Sequence, residues 1–100
     1  MAIKKIQKNV FEILFLHPKP VKMLTSLKNE DIRYATQVSK VVDCTYSHTV
    51  KIIKMLKEYG LVEFSKKGRL KTIELTPIGK DIATNLTRTV YLFDKADNNH

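Results

Sequence analysis

Cysteine occurs once in this sequence, at Cys44, so neither an internal disulfide nor a cysteine-built zinc site is available to hold the fold. Histidine is also sparse, and His17, His48 and His100 are too scattered for metal-ligand spacing on a helix, so no metal is expected. No run approaches the ~20 apolar residues that a membrane-spanning helix needs. The N-terminus lacks the basic start, apolar centre and small-residue cleavage site of a signal peptide, and a soluble, cytoplasmic protein is expected. No glycine-rich phosphate loop, nucleophile motif or carboxylate pair at helical spacing is found, and Glu58 and Glu63 read as ordinary surface charges; neither enzymatic activity nor a cofactor is expected. Acidic residues number 10 against 18 lysines and arginines, a formal net charge of +8. Such an excess attracts polyanions, which makes nucleic acid and acidic membrane surfaces the first partners to consider.

What is present suits one globular domain. The 100 residues contain no repeat, low-complexity segment or linker, and 43% are hydrophobic, so a single domain over 1–100 is expected. Its most informative stretch is 45–62, TYSHTVKIIKMLKEYGLV. As a helix it places Tyr46, Thr49, Val50, Ile53 and Leu56 on a side built for burial, and Ser47, His48, Lys51 and Lys54 on a polar, basic side. Thr45 or Ser47 can cap its start, and Gly60 can adopt the left-handed conformation that stops it. A short helix over 35–42 precedes it, with Val38, Val41 and Val42 facing inward and Ser39 small enough for a close crossing. Asp43-Cys44-Thr45 connects the two as a helix-turn-helix, with Cys44 serving as a small apolar packing residue.

Further upstream, Ile3, Ile6, Val10, Ile13 and Leu14 recur at helical spacing, while residues 10–16 also suit a strand. His17-Pro18-Lys19-Pro20 interrupts regular structure. A helix is expected from Pro20 through Val21, Leu24 and Leu27 to about Asn29, then a turn at Glu30 and Asp31 and a stub of strand at 32–34. After Gly60 the pattern alternates: Leu61, Val62 and Phe64 make one strand, Lys66-Lys67-Gly68-Arg69 a turn, and Leu70, Ile73 and Leu75 the return. Thr76 and Pro77 open a last helix carrying Ile78, Ile82, Leu86, Val90 and Phe93, with a frayed tail from Asp94.

Helix, strand stub, helix, turn, helix and basic hairpin is the winged-helix order. The segment TYSHTVKIIKMLKEYGLVEFSKKGRLKTIELTPIGKDIA resembles the recognition helix, wing and following helix of MarR-like transcriptional regulators, especially short archaeal ones. LKEYGLV, KKGR and ELTPIGKDIA carry the likeness, matching the family's leucine-x-x-x-glycine-leucine-valine helix end and the threonine-x-x-glycine that opens the next helix; it extends over 20–83. The fold class it implies is α+β, mainly α: a winged helix-turn-helix with a two- or three-stranded wing sheet and flanking N- and C-terminal helices. The parts are an N-terminal segment over 1–17, a core over 20–76 and a C-terminal helix over 77–95.

The resemblance also implies double-stranded DNA as partner, with the helix over 45–59 in the major groove. Ser47, His48 and Lys51 then reach base edges, Tyr46 lies near the helix start and Lys54 nearer the backbone. On the wing, 62–75, Lys66, Lys67, Arg69 and Lys71 meet phosphates or the minor groove, Arg69 being the groove residue, and Thr36, Gln37 and Lys40 offer phosphate contacts. The bland alternatives are a solvated helix face and lysines that keep an edge strand from pairing. A small-molecule effector is compatible with the resemblance, but no residue here supports one. The two ends carry more apolar surface than a small domain needs. A homodimer using Ile3, Ile6, Val10, Leu86, Val90 and Phe93 is therefore expected, against the alternative that both ends fold back on their own domain. Competing functions are a winged-helix interaction module of a transcription or replication assembly with non-specific DNA contact, and a membrane-surface protein acting through its basic N-terminus.

Overall fold

The computed structural model describes Glu12 and residues 15–98. The dimer residues Ile3, Ile6 and Val10 therefore lie outside the described residues, as does most of the helix-or-strand question over 3–16; of that span Glu12 and Phe15 are helical, and the Leu16 amide donates to the Glu12 carbonyl at 3.2 Å. Within them the order is α1 (Pro18–Ser26), α2 (Ala35–Val42), α3 (Tyr46–Glu58), β1 (Val62–Lys67), β2 (Leu70–Leu75) and α4 (Pro77–Asn98).

Helix α1 starts two residues before the expected Pro20. Its first turn tolerates both Pro18 and Pro20, because first-turn N–H groups have no intrahelical acceptor to lose. It also ends before Asn29. The Leu27, Lys28 and Asn29 amides each donate to the carbonyl three residues back, so the chain tightens into turns instead of continuing as α-helix. Met23 and Leu24 are fully buried, and Leu27 joins them in the core.

Residues 32–34 form no strand. The Gln37 Oε1 accepts from the Arg33 amide at 2.8 Å and the Tyr34 amide at 2.9 Å, and its Nε2 donates to the Asp31 carbonyl at 3.0 Å. This side chain occupies the N–H groups that a ladder would need, and it caps the start of α2. A single bond from the Ile73 amide to the Arg33 carbonyl, 2.7 Å, ties this segment to β2. The sheet is accordingly two-stranded. In α2, Val38 and Val42 are buried as expected, but Val41 is 59% exposed. An eight-residue helix offers only one narrow inner stripe, and Val41 lies outside it.

The α2–α3 turn passes through Asp43 in the left-handed region, φ 58°, and the Cys44 amide closes it on the Ser39 carbonyl at 2.9 Å. Cys44 is half-buried against the core. Thr45 caps α3, its Oγ1 accepting from the His48 amide at 3.3 Å. The inner face of α3 is Thr49, Ile52, Ile53 and Leu56, all buried, with Val50 half-buried beside them. Two positions differ from the sequence reading: Ile52 belongs to the core, and Tyr46 is 56% exposed at the first turn. Gly60, at φ 74°, ends the helix, and the Leu61 amide returns to the Leu56 carbonyl at 2.9 Å.

The hairpin pairs Val62 with Leu75, Phe64 with Ile73, Lys66 with Lys71 and Lys67 with Leu70, turning through Gly68 at φ 63° and Arg69. Its base is locked to α4. The Thr76 amide donates to the Leu61 carbonyl at 3.1 Å, the Thr76 hydroxyl donates to the Gly60 carbonyl at 2.6 Å, and the same hydroxyl accepts from the Gly79 amide at 3.1 Å. Gly79 lies so close to the Leu61 carbonyl that a Cβ there would overlap its oxygen. The glycine-leucine-valine helix end and the threonine-x-x-glycine start thus form one closure. Ala83 is fully buried, and Ile82 and Leu86 pack against the same core. Contrary to the frayed tail expected from Asp94, α4 runs on to Asn98. Residues 80–98 contain no glycine or proline to stop it.

Candidate nucleic-acid interface

Burying Thr49, Ile52, Ile53 and Leu56 turns the opposite face of α3 to solvent, and Ser47, His48, Lys51 and Lys54 are all exposed there. The Thr45 cap sets where that face begins, and the Gly60 turn sets where the wing leaves it. On the wing Lys66, Arg69 and Lys71 are exposed, and Lys67 sits at the end of β1 opposite Leu70.

A groove of about 430 Å³ separates α3 from the wing. Tyr34, Tyr46, Lys54, Arg69 and Lys71 are among its lining residues, together with Val50, Ile53, Phe64 and Ile73. It brings Tyr46, Lys54, Arg69, Lys71 and Thr36 of the expected set around one concavity, while Ser47, His48 and Lys51 stand outside it on the helix. Lys40 is exposed in the last turn of α2. Gln37 is the exception on that helix, because its amide is engaged by the backbone of residues 31–34; its role is to cap α2.

Charge is segregated along the chain. No aspartate or glutamate occurs between Asp43 and Glu58 or between Glu63 and Glu74, yet these two stretches hold seven cations: Lys51, Lys54, Lys57, Lys66, Lys67, Arg69 and Lys71. A surface patch of one sign next to an apolar-floored groove concentrates an anionic partner. Tyr34, Phe64 and Lys57 are additions that the sequence reading missed. The Lys71 ammonium lies 3.9 Å from the Phe64 ring centroid and the Lys57 ammonium 5.4 Å from it. For Phe64 and Lys71 the available signal was the strand register, which sets them diagonally on one face of the hairpin.

Among the described residues no group of three or more His, Cys, Asp or Glu side chains could hold a metal ion, and no helix is long and apolar enough to cross a membrane.

The family model for a winged helix DNA-binding domain matches residues 20–79. The chain belongs to that family. Solved structures similar to this winged-helix protein include the AF1382 protein of Archaeoglobus fulgidus. It is 26% identical at a TM-score of 0.72, over 83% of this chain and 94% of that one. A MarR family protein of Bacillus stearothermophilus is 16% identical with a TM-score of 0.67, over 96% of this chain and 68% of its own. A MepR mutant of S. aureus bound to an oligodeoxyribonucleotide is 18% identical with a TM-score of 0.70, over 98% of this chain and 72% of that one. The latter two share the fold. No curated protein sequence matches the chain. The winged-helix fold that the resemblance to MarR-like regulators implies agrees with the family match and with these neighbours.

Proposed function

We propose that the winged-helix protein is a dimeric, cytoplasmic transcriptional regulator that binds duplex DNA sequence-specifically. The observation that carries this reading is the pair of acid-free stretches, residues 44–57 through most of α3 and residues 64–73 across the wing tip, presenting Ser47, His48 and Lys51 outward beside a cationic hairpin. A helix about 10–12 Å across fits a major groove about 12 Å wide. Ser47 and His48 then offer donors and acceptors to base edges, and Lys51 donates to guanine O6 or N7. Tyr46 and Lys54 meet the flanking backbone. Lys66, Lys67 and Lys71 neutralise phosphates, Arg69 reaches the minor groove, and Thr36 and Lys40 add phosphate contacts from α2. Gln37 is left out of that set.

The dimer reading rests on α4. Val90, Tyr91, Leu92 and Phe93 are all at least half exposed, Phe93 at 75%. Val90 and Phe93, one helical turn apart, put two large apolar side chains on one exposed face of α4, a surface that is covered in the working assembly. Leu86 packs partly on its own core, so it stands at the rim of this surface. A two-fold axis along α4 would set the two recognition helices about one duplex turn apart, roughly 34 Å, and ask for an inverted repeat.

Selection of duplexes from a randomised pool by the full chain tests the reading. Enrichment of one inverted repeat supports it. Salt-sensitive retention without enrichment would instead identify an interaction module that touches DNA non-specifically.

A further inference from the structure

Phe64 has a place in the fold that neither the core nor the base-reading face explains. It is half-buried on β1, with one edge against the core and the rest in the wall of the α3–wing groove. Two ammonium groups from different elements converge on its ring: Lys71 of β2 at 3.9 Å from the centroid, and Lys57 of the last turn of α3 at 5.4 Å. The strand register also sets Lys71 directly opposite Lys66. Like charges directly opposite on a ladder repel, so Lys71 would otherwise be driven into solvent and sample many rotamers. The negative face of the ring draws it back toward α3 instead.

We propose that Phe64 is a positioning residue for DNA binding: its ring holds the Lys71 ammonium of the wing at the groove beside the recognition helix, ready for a phosphate. This rests on the DNA-binding reading above. An ammonium has three N–H donors, and one resting on a ring face keeps donors for a phosphate oxygen. Ordering Lys71 during folding removes part of the entropy loss that would otherwise oppose binding. Lys57 lies farther from the same ring, 5.4 Å from its centroid, and marks how close the end of α3 comes to it.

The test uses the full chain and one inverted-repeat duplex selected from the randomised pool. In the wild type, the Lys71 side-chain methylene protons next to the ammonium are shifted upfield by the ring current. Phe64→Leu, which keeps an apolar filler without a π face, abolishes that shift and weakens duplex binding roughly two- to fivefold. Phe64→Tyr keeps both. If Phe64 acts through Lys71, the double variant F64L/K71A binds no worse than Lys71→Ala alone. Thermal midpoints measured alongside separate loss of the fold from loss of positioning, and the wild-type shift is read without any variant. An unshifted Lys71 in the wild type, or losses from F64L and K71A that simply add, overturns the role of Phe64 while leaving DNA binding in place. A wild-type chain that retains no duplex even at low salt overturns the DNA reading and this role together.

Discussion

Gly79→Ala sets two effects of opposite sign against each other. Gly79 lies in the first turn of α4, and by helix propensity alone alanine is favoured over glycine by up to about 1 kcal/mol. The structure predicts the reverse. A Cβ at this position would overlap the Leu61 carbonyl oxygen and stand 2.8 Å from its carbon and 3.1 Å from its Cα. The obstacle is backbone, so no rotamer change relieves it, and α4 must separate from the base of the wing. Separation strains the Thr76 amide bond to Leu61 and the Thr76 hydroxyl bond to Gly60. Overpacking of this kind costs roughly 1–3 kcal/mol, and two weakened hydrogen bonds add about 1–2 kcal/mol. After the propensity gain, a net loss of about 1–4 kcal/mol remains, a large share of the ~5–15 kcal/mol that holds a domain folded. Urea titration followed by circular dichroism reads this directly, and the melting point should fall by roughly 5–30 °C. Thr84→Ala, at an exposed site on the same helix, is the control and should stay within about 0.5 kcal/mol of wild type. A Gly79→Ala protein as stable as the wild type, or more so, would refute the closure of wing base on helix start.

Further outcomes follow from the site. Lys51→Ala should weaken a selected inverted repeat by about 1–3 kcal/mol while changing random-sequence DNA much less, measured by fluorescence anisotropy on both duplexes. Lys66→Ala should weaken both alike and lower the slope of log K against log salt by about 1. Gln37→Ala should lower the unfolding free energy by about 1–3 kcal/mol, because it strips the Arg33 and Tyr34 amides of their acceptor, and should leave the salt slope unchanged. Phe93→Glu should shift sedimentation from dimer to monomer without lowering the circular dichroism signal, since the ring contributes little to its own protomer's core; an unchanged sedimentation coefficient would argue against α4 as the contact.

Much of this fold was legible in the chain. The helix over 45–59, the alternating strands, Gly60, Gly68 and the Thr76-Pro77 start all follow from local chemistry, and local chemistry is what periodicity and turn rules describe. The differences arise where a partner distant in sequence decides. A period of 3.6 admits neighbouring arcs, so Tyr46 and Ile52 exchange exposure and burial according to what packs on α3. The strand stub is lost because a side chain three to four residues ahead takes its amides, and Gln37 moves from surface contact to cap for the same reason. The outward face of α3 was readable from Ser47, His48, Lys51 and Lys54. The Phe64–Lys71 contact was legible only in part: hairpin register sets the two residues diagonally on one face, whereas the approach of α3, which brings Lys57 to the same ring, is not local.

Titration of the isotopically labelled chain with a selected duplex, followed through backbone amide shifts, tests the central claim most directly. The account predicts large changes confined to residues 45–54 and 66–71, with smaller ones at Thr36 and Lys40 and none along the first two turns of α4. Changes centred on α4 instead, or amides unmoved by duplex at low salt, would contradict it.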